Sequence, residues 1–109
     1  SSRIPAPYLA GKSGFIGLTK YLSRELKKYG IGTFALALRH VDTPMIRKVM
    51  KDRGVDINAG LKKLDKQSVT GKIATSQEIA DVFAYFALPI SDGMSGLVLL
   101  ADGGITYLR

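Results

Sequence analysis

The chain has 109 residues, 46% of them apolar, and a formal net charge of +7, a composition that suits one compact domain rather than a disordered polymer. It has no Cys and a single His, His40, which excludes disulfides, thiol nucleophiles and a zinc or other metal site built from these residue types. No apolar run approaches the roughly 20 residues of a membrane-spanning helix, and the first residues lack the pattern of a signal peptide. A cytoplasmic location without a membrane partner is therefore the default expectation.

The first predicted element is an amphipathic helix that begins near Pro7 and ends at Gly30. Proline is tolerated in a first helical turn, and glycine is common just past a helix end. Gly11, Gly14 and Gly17 each weaken a helix by about 1 kcal/mol, so we expect a ligand or a neighbouring helix to approach this face closely. The apolar residues recur at steps of three and four: Phe15, Leu18, Leu22, Leu26 and Tyr29.

Tyr8 and Lys12 lie one helical turn apart at the start of this helix. Side chains at these positions share a helix face, so the Lys12 ammonium and the positive end of the helix dipole both favour loss of a phenol proton. A phenol tuned in this way can donate its proton to a carbonyl oxygen. The spacing therefore predicts a proton-transfer site, and a surface aromatic beside a solvated lysine is the alternative.

Residues 33–38 form an apolar run typical of a strand covered on both faces, with a short helix as the alternative. Residues 39–74 follow as a long connection, and connections of this length are usually functional lids or disordered. We interpret this one as a lid, with packing over the core edge as the alternative. Its apolar pattern predicts two short helices, marked by Ile46, Val49 and Met50 and by Ile57, Leu61 and Leu64.

The basic charge is concentrated in this connection. Residues 39–72 carry nine Lys or Arg against four Asp, a net +5. Such a patch suits a nucleic acid, a membrane surface or an anionic substrate, but a solvated surface is the interpretation we favour. The segment has no aromatic residues for base stacking, so no nucleic-acid partner is expected.

The last helix begins with a capping box formed by Thr75 and Glu78, and it ends before Pro89. Its apolar positions, which we expect to be buried, are Ile79, Val82, Phe83 and Phe86. Residues 96–101 form a second apolar strand, followed by a turn at residues 102–104. Helices that alternate with buried strands predict a parallel α/β sheet. Two strands would leave large faces uncovered, so we expect further strands from preceding residues or from a second copy.

The chain contains, in order, the motifs Tyr8-x-x-x-Lys12, Gly17-Leu18-Thr19, Glu25-Leu26, Val41-Asp42-Thr43-Pro44-Met45, Glu78-Ile79-Ala80, Ser95-Gly96 and Asp102-Gly103-Gly104. In this order and spacing, the motifs resemble the C-terminal half of a short-chain dehydrogenase/reductase. The resemblance implies half of a Rossmann-like doubly wound parallel sheet: residues 1–109 are a partial domain with a catalytic helix, a substrate lid at about 39–74, and the last helix and strand. The cofactor-binding half would lie outside these residues.

The resemblance also implies roles for individual residues. Tyr8 would be the catalytic acid/base, and Lys12 would favour its ionised form and hold the nicotinamide ribose hydroxyls. Thr43 and the backbone of Val41 would hold the nicotinamide, just after a strand, where ligands of open α/β sheets commonly bind. The implied cofactor is NAD or NADP, and the sequence does not choose between them because it contains no glycine-rich phosphate-binding run.

The sequence departs from the family pattern in two further places. Ser1 and Ser2 are candidates for the serine that orients the substrate carbonyl, but they lie at about half the customary spacing from the tyrosine. Leu38 and Arg39 replace the usual Pro-Gly, and Arg39 would either crowd the cofactor or contact its phosphates. His40 is assigned no role.

The sequence thus favours an oxidoreductase that transfers a hydride between a nicotinamide cofactor and a small carbonyl or alcohol substrate. Because the lid is basic, we also expect the substrate to be anionic or carrier-bound. The alternative is a non-catalytic fragment or degenerate family member that serves as an oligomerisation piece. Since family members commonly associate through glycine-bearing helices and apolar C-terminal strands, a homodimer or homotetramer is expected. The 109 residues alone are expected to be inactive, because the phosphate-binding turn is not among them.

Overall fold

The structure is a computed structural model and describes residues 5–104. Helices and strands alternate, which confirms the predicted α/β class. The elements are α1 (Ala6–Glu25), a 3₁₀ turn (Leu26–Tyr29), β1 (Phe34–Leu38), β2 (Val41–Asp42), α2 (Pro44–Asp52), α3 (Ile57–Asp65), β3 (Ala74–Thr75), α4 (Ser76–Phe86), a second 3₁₀ segment (Pro89–Met94) and β4 (Leu97–Ala101).

The chain divides into two compact units. The first consists of Ser1–Leu36 and Phe86–Leu99, and the second of Ala37–Tyr85 and Leu100–Arg109. The strands form two small sheets, in which β1 pairs with β4 and β2 pairs with β3. β2 and β3 run parallel, with Val41 opposite Ala74 and Asp42 opposite Thr75.

In the first unit, the prediction that Gly30 ends the helical segment is confirmed. Gly30 has a left-handed φ of 69°, and its N–H donates to the carbonyl oxygens of Leu26 and Lys27. Glycine adopts this conformation without the steric cost that other residues incur. Within the same unit, the rings of Phe34 and Phe86 stack with their centroids 4.4 Å apart.

The apolar face predicted for α1 is only partly covered. Leu22 and Leu26 are half-buried, but Phe15, Leu18 and Tyr29 are exposed, with 61%, 47% and 66% of their surface accessible. The periodicity located these residues on one helical segment correctly, and part of the apolar face is exposed among the described residues. A helix face needs a second element to cover it, and the described part of the first unit does not cover the whole of this one.

A polar network joins α1 to the starts of β1 and β4. The hydroxyls of Ser23 and Ser95 lie 2.8 Å apart, and the N–H of Thr33 donates to Ser95 Oγ over 3.1 Å. The hydroxyl of Thr33 donates to the carbonyl oxygen of Thr19 over 2.8 Å, and the N–H of Gly96 donates to the Thr33 carbonyl oxygen over 2.6 Å. These bonds supply polar partners to backbone groups that lie outside the regular ladders.

In the second unit, the two predicted lid helices are present as α2 and α3. Thr43 Oγ1 accepts a hydrogen bond from the N–H of Ile46 and caps α2, and Asp56 Oδ1 accepts from the N–H of Ala59 and caps α3. Both are residues that favour helix N-termini. At the two ends of the lid, β2 pairs with β3, which the sequence analysis did not predict.

The predicted capping box of α4 is confirmed. The N–H of Glu78 donates to Thr75 Oγ1 over 3.2 Å, and the N–H of Thr75 donates to Glu78 Oε2 over 2.7 Å. The Thr75 hydroxyl also donates to Glu78 Oε2 over 3.1 Å, and the two bonds that Oε2 accepts from Thr75 lower the pKa of Glu78, the backbone bond contributing most. The expectation that Phe83 is buried was wrong, since 48% of its surface is exposed, whereas Ile79 and Val82 are half-buried as predicted.

No helix within residues 5–104 combines the length and the apolar character needed to cross a bilayer. The cytoplasmic location stays a prediction.

Candidate active site

The first part of the predicted site lies at the start of α1. Tyr8 and Lys12 are both exposed, and Lys12 Nζ lies 5.5 Å from the centroid of the Tyr8 ring. This is within the distance at which a cation is attracted to an aromatic face. The spacing of four residues in a regular helix brings the ammonium and the phenol together.

The N-terminus of α1 is not capped by a described side chain. Pro5 occupies the N-cap position in an extended conformation, Pro7 follows in the first turn, and the first turn contains no acidic residue. A helix begun in this way leaves the partial positive charge of its first N–H groups without a side-chain acceptor. These N–H groups are thus open to an acceptor, and the role of Tyr8 as a proton donor stays a prediction.

The glycine face of α1 is open. A Cβ added at Gly11, Gly14 or Gly17 would meet no atom within 4 Å among the described residues. The close approach that we expected at this face is thus not made by the described part of the chain. Ser1 and Ser2 lie outside the described residues, so their role in orienting a substrate stays a prediction.

The second part of the predicted site lies in the other unit. Val41 is half-buried in β2, and Thr43 is half-buried immediately after it. Thr43 Oγ1 accepts a 3.4 Å hydrogen bond from Ile46, so this hydroxyl caps α2 and still has its own proton to donate. Thus Tyr8 lies with Lys12 in the first unit, and Val41 lies with Thr43 in the second.

An ion pair braces the residues around Thr43. Arg47 donates two hydrogen bonds of 2.7 Å to the two carboxylate oxygens of Asp42. These bonds lower the pKa of Asp42 and keep it ionised. Bidentate pairing of this kind fixes both side chains. The Ser76 hydroxyl also donates to the Asp42 carbonyl oxygen over 3.3 Å, which ties the start of α4 to β2.

The second unit also contains an open pocket of about 360 Å³. His40, two residues after β1, and Asp102, directly after β4, both line it, so residues that follow the two paired strands share this pocket. Ligands of open α/β sheets commonly bind beyond the carboxyl ends of the strands. Ile73, which is only 8% exposed, contributes to an apolar wall, and the ion pair of Lys72 with Glu78 lies beside it.

His40, to which the sequence analysis assigned no role, lines this pocket. It is half-buried in the pocket wall, and its pKa is lowered, mainly by burial and further by the positive charge of Arg39. Its imidazole is therefore neutral near pH 7, and a neutral imidazole can both donate and accept a hydrogen bond.

Three exposed lysines, Lys62, Lys63 and Lys66, lie at the end of α3 and form what we call the α3 lysine cluster. No carboxylate within residues 5–104 pairs with any of them. The nearby carboxylate of Asp65 instead accepts a 2.9 Å hydrogen bond from the N–H of Ile73. The basic charge predicted for the lid is therefore displayed at the surface.

Comparison with known proteins identifies the family. A family model described as Enoyl-(Acyl carrier protein) reductase matches residues 3–106. Short-chain dehydrogenase virB of Hypocrea virens is 34% identical over 99 residues, which make up 91% of this chain and 38% of that protein. The 3-oxoacyl-(acyl-carrier-protein) reductase FabG of Salmonella typhimurium is 32% identical over 100 residues, 92% of this chain and 38% of that protein.

A solved structure agrees with these matches. The crystal structure of a variant of actinorhodin polyketide ketoreductase with NADPH superimposes with a TM-score of 0.81 at 27% identity, over 96% of this chain and 42% of that one. The chain belongs to the short-chain dehydrogenase/reductase family, and its fold is half of a Rossmann-like doubly wound sheet. It spans less than half the length of each of these relatives.

Proposed function

We propose that this protein is a nicotinamide-dependent oxidoreductase that interconverts a carbonyl and an alcohol, with Tyr8 as the acid/base. The observation that carries the proposal is the pair on α1, where the Lys12 ammonium lies 5.5 Å from the Tyr8 ring centroid at a helix N-terminus without a described side-chain cap. The relatives support it, since their names describe dehydrogenases and reductases.

The residues present fit a nicotinamide cofactor in their chemistry. Lys12 offers an exposed ammonium with three donors to the ribose hydroxyls, and the hydroxyl of Thr43 retains a proton for the nicotinamide amide. When bound, the cofactor would supply or accept the hydride. The proposal covers NAD and NADP alike.

In the reducing direction, the substrate carbonyl carbon gains a hydride and its oxygen takes the phenol proton of Tyr8. The C=O π bond breaks, an alcohol forms, and the Tyr8 phenolate regains its proton from water. In the oxidising direction, the phenolate removes the alcohol proton. Lys12 stabilises the phenolate through its positive charge, as does the positive end of the α1 dipole.

The test is Tyr8→Phe in the full-length protein, assayed with a panel of carbonyl and alcohol substrates and either cofactor. General acid–base catalysis contributes about 10²- to 10⁴-fold, so kcat should fall by that factor while thermal unfolding is unchanged. Tyr29→Phe is the matched control, because Lys28 Nζ lies 5.0 Å from the Tyr29 ring centroid in a similar arrangement. Equal turnover by the Tyr8 variant and the unaltered protein would overturn the proposal.

We also propose that the substrate is anionic or carrier-bound. The support is the α3 lysine cluster, whose three ammonium groups are exposed and pair with no described carboxylate. Like charges at Lys62 and Lys66, one helical turn apart, disfavour the helix slightly, which an anionic ligand would relieve. The name of the Salmonella relative, which refers to a carrier-bound acyl group, is consistent with this.

A second candidate function rests on the open face of α1. A non-catalytic fragment or degenerate family member would use Gly11, Gly14 and Gly17 together with the exposed Phe15 and Leu18 to pack against another helix. A homodimer or homotetramer is the assembly we propose for either function. Loss of turnover in the Tyr8 variant supports the enzyme, and the absence of any effect supports this second candidate.

A further inference from the structure

The turn that follows β4 is shaped by two glycines in left-handed conformations. Gly103 has a φ of 67° and Gly104 a φ of 78°. Asp102 is only 9% exposed, and its Oδ1 accepts a 3.0 Å hydrogen bond from the N–H of Gly104. A carboxylate that bonds its own backbone two residues on is a recognised way to fix a turn.

The C-terminal end of the lid lies directly on this turn. The N–H of Val69 donates to the carbonyl oxygen of Gly103 over 2.9 Å. Ser68 is 8% exposed, its Oγ lies 2.9 Å from Thr70 Oγ1, and it accepts a hydrogen bond of 3.3 Å from the Thr70 N–H. Residues 68–70 and 102–104 together are called the lid clasp here.

The two sides of the lid clasp approach too closely for a side chain on the turn. A Cβ at Gly103 would lie 2.6 Å from Ser68 Oγ, and a Cβ at Gly104 would lie 2.6 Å from Val69 Cγ2. Glycine is therefore required at both positions for two reasons: the left-handed backbone conformation, and the lack of space for a Cβ. This close fit is separate from the hydrogen bonds that order the turn itself.

The lid clasp also forms part of the pocket at the strand ends. Ser68 and Thr70 line the pocket from the lid side, and Asp102 and Gly103 line it from the turn side. The α3 lysine cluster ends at Lys66, two residues before the clasp. A shift of the clasp would therefore move a pocket wall together with the end of the lid.

We propose that the lid clasp is a positioning device, in which the turn at residues 102–104 holds the C-terminal end of the lid and a pocket wall in the place that substrate binding requires. This inference rests on the proposed function. It assigns to Gly103, Gly104 and Val69 a role in substrate affinity that is distinct from proton transfer.

The experiment uses the full-length protein with Gly104→Ala, Val69→Ala and the double variant. Gly30→Ala is the matched control, since Gly30 has a φ of 69° but no atom lies within 4 Å of its Cβ position. The first readout is hydrogen exchange at the Val69 amide, which donates to Gly103. The second is the separate change in KM and kcat.

We expect Gly104→Ala to speed exchange at Val69 and to raise KM about tenfold, the low end of what one misplaced methylene costs in a binding pocket, with kcat little changed. The double variant should reverse part of both changes, because Val69→Ala removes the methyl group that the new Cβ would contact. The control should show neither effect.

Unchanged exchange at Val69, or faster exchange without a rise in KM, would overturn the inference, as would an equal rise in KM in the control. If Gly104→Ala alone does not fold, the double variant is compared with Gly30→Ala in the same way. Turnover by the unaltered protein tests the proposed function separately, so failure of one is distinguishable from failure of the other.

Discussion

The two units treat their helix N-termini differently. In the second unit, α2, α3 and α4 each have a side-chain cap, supplied by Thr43, Asp56 and Thr75. In the first unit, α1 has Pro5 at its N-cap position and no described side-chain cap. A cap satisfies the free N–H groups and stabilises the helix, while an uncapped end leaves its partial positive charge available to a ligand or a reacting group.

The difference shows which helices are stabilised by caps and where the residues of the proposed acid/base pair stay accessible. The second unit contains Ile73, the buried apolar side chain within residues 5–104, together with the buried Ser68 and Asp102 of the lid clasp. The first unit keeps Tyr8 and Lys12 exposed on a long helix without a buried residue. The helix that holds the proposed acid/base is therefore open at its N-terminus and along its surface, while the helices of the second unit are stabilised by their caps.

Reversing the α3 lysine cluster tests whether the charge of the second unit acts on the substrate. We expect Lys62→Glu, Lys63→Glu and Lys66→Glu together to raise KM for an anionic substrate about tenfold or more, because exposed charge pairs are worth about 0.2–1 kcal/mol each and every attraction becomes a repulsion. Steady-state kinetics with an anionic and a neutral substrate that share the same carbonyl measure the effect.

The matched control reverses three exposed lysines of the first unit, Lys20, Lys27 and Lys28. This control changes the net charge by the same amount. An equal rise in KM would therefore mean that the overall positive charge of the protein attracts the substrate, and not the α3 lysine cluster. The specific effect should shrink as salt is added, since exposed charges are screened. Equal effects on the neutral substrate would contradict the anionic preference.

Removing a cap tests the stabilising role of the second unit. Thr75→Ala deletes the hydroxyl that accepts from the Glu78 N–H, and it should lower the free energy of unfolding by about 1 kcal/mol. Urea denaturation of the full-length protein measures this loss. Ser13→Ala, at an exposed position within α1, is the control and should cost little. A loss of similar size in both variants would refute the contrast between the units.

The smallest expected effect is a pH dependence from the pair of Asp42 and Arg47. Hydrogen bonds from Arg47 hold the pKa of Asp42 below its ordinary value of about 3.9, so the pair stabilises the fold above that pH and the contribution is lost as pH falls through the lowered pKa. The stability difference between the unaltered protein and Arg47→Met should thus be larger at pH 7 than at pH 3. Urea midpoints at both pH values measure it.

Lys51→Met removes an exposed cation of the same helix that pairs with no described carboxylate, and it is the control. A difference for Arg47→Met that stays constant with pH would mean that the guanidinium acts through packing and not through the Asp42 carboxylate.

Local patterns predicted the regular elements well. The capping box at Thr75 and Glu78, the stop at Gly30 and the two lid helices are all confirmed. Each depends on residues within a few positions of one another, where backbone geometry fixes the outcome. The sequence analysis did not predict the pairing of β2 with β3, because Val41 and Ala74 are 33 positions apart.

Burial was predicted less well. Phe83 was expected to be buried and is exposed, and the apolar face predicted for α1 is only partly covered by the described residues. Periodicity shows which side chains share a face, but burial depends on the element that covers it. For the candidate site, helical spacing predicted that Tyr8 and Lys12 lie close together. No sequence pattern indicated the pocket that His40 lines.

The sequence by itself therefore determined the α/β class, the family, the position of Tyr8 and Lys12 on one helix face and the caps, since these follow from short-range spacing and from residue types. Only the tertiary structure decided that Gly103 and Gly104 face Ser68 and Val69 across the lid clasp. It also decided that His40 and Asp102 share a pocket. Contacts between residues far apart in the chain arise from packing, and no local pattern encodes which surfaces will meet.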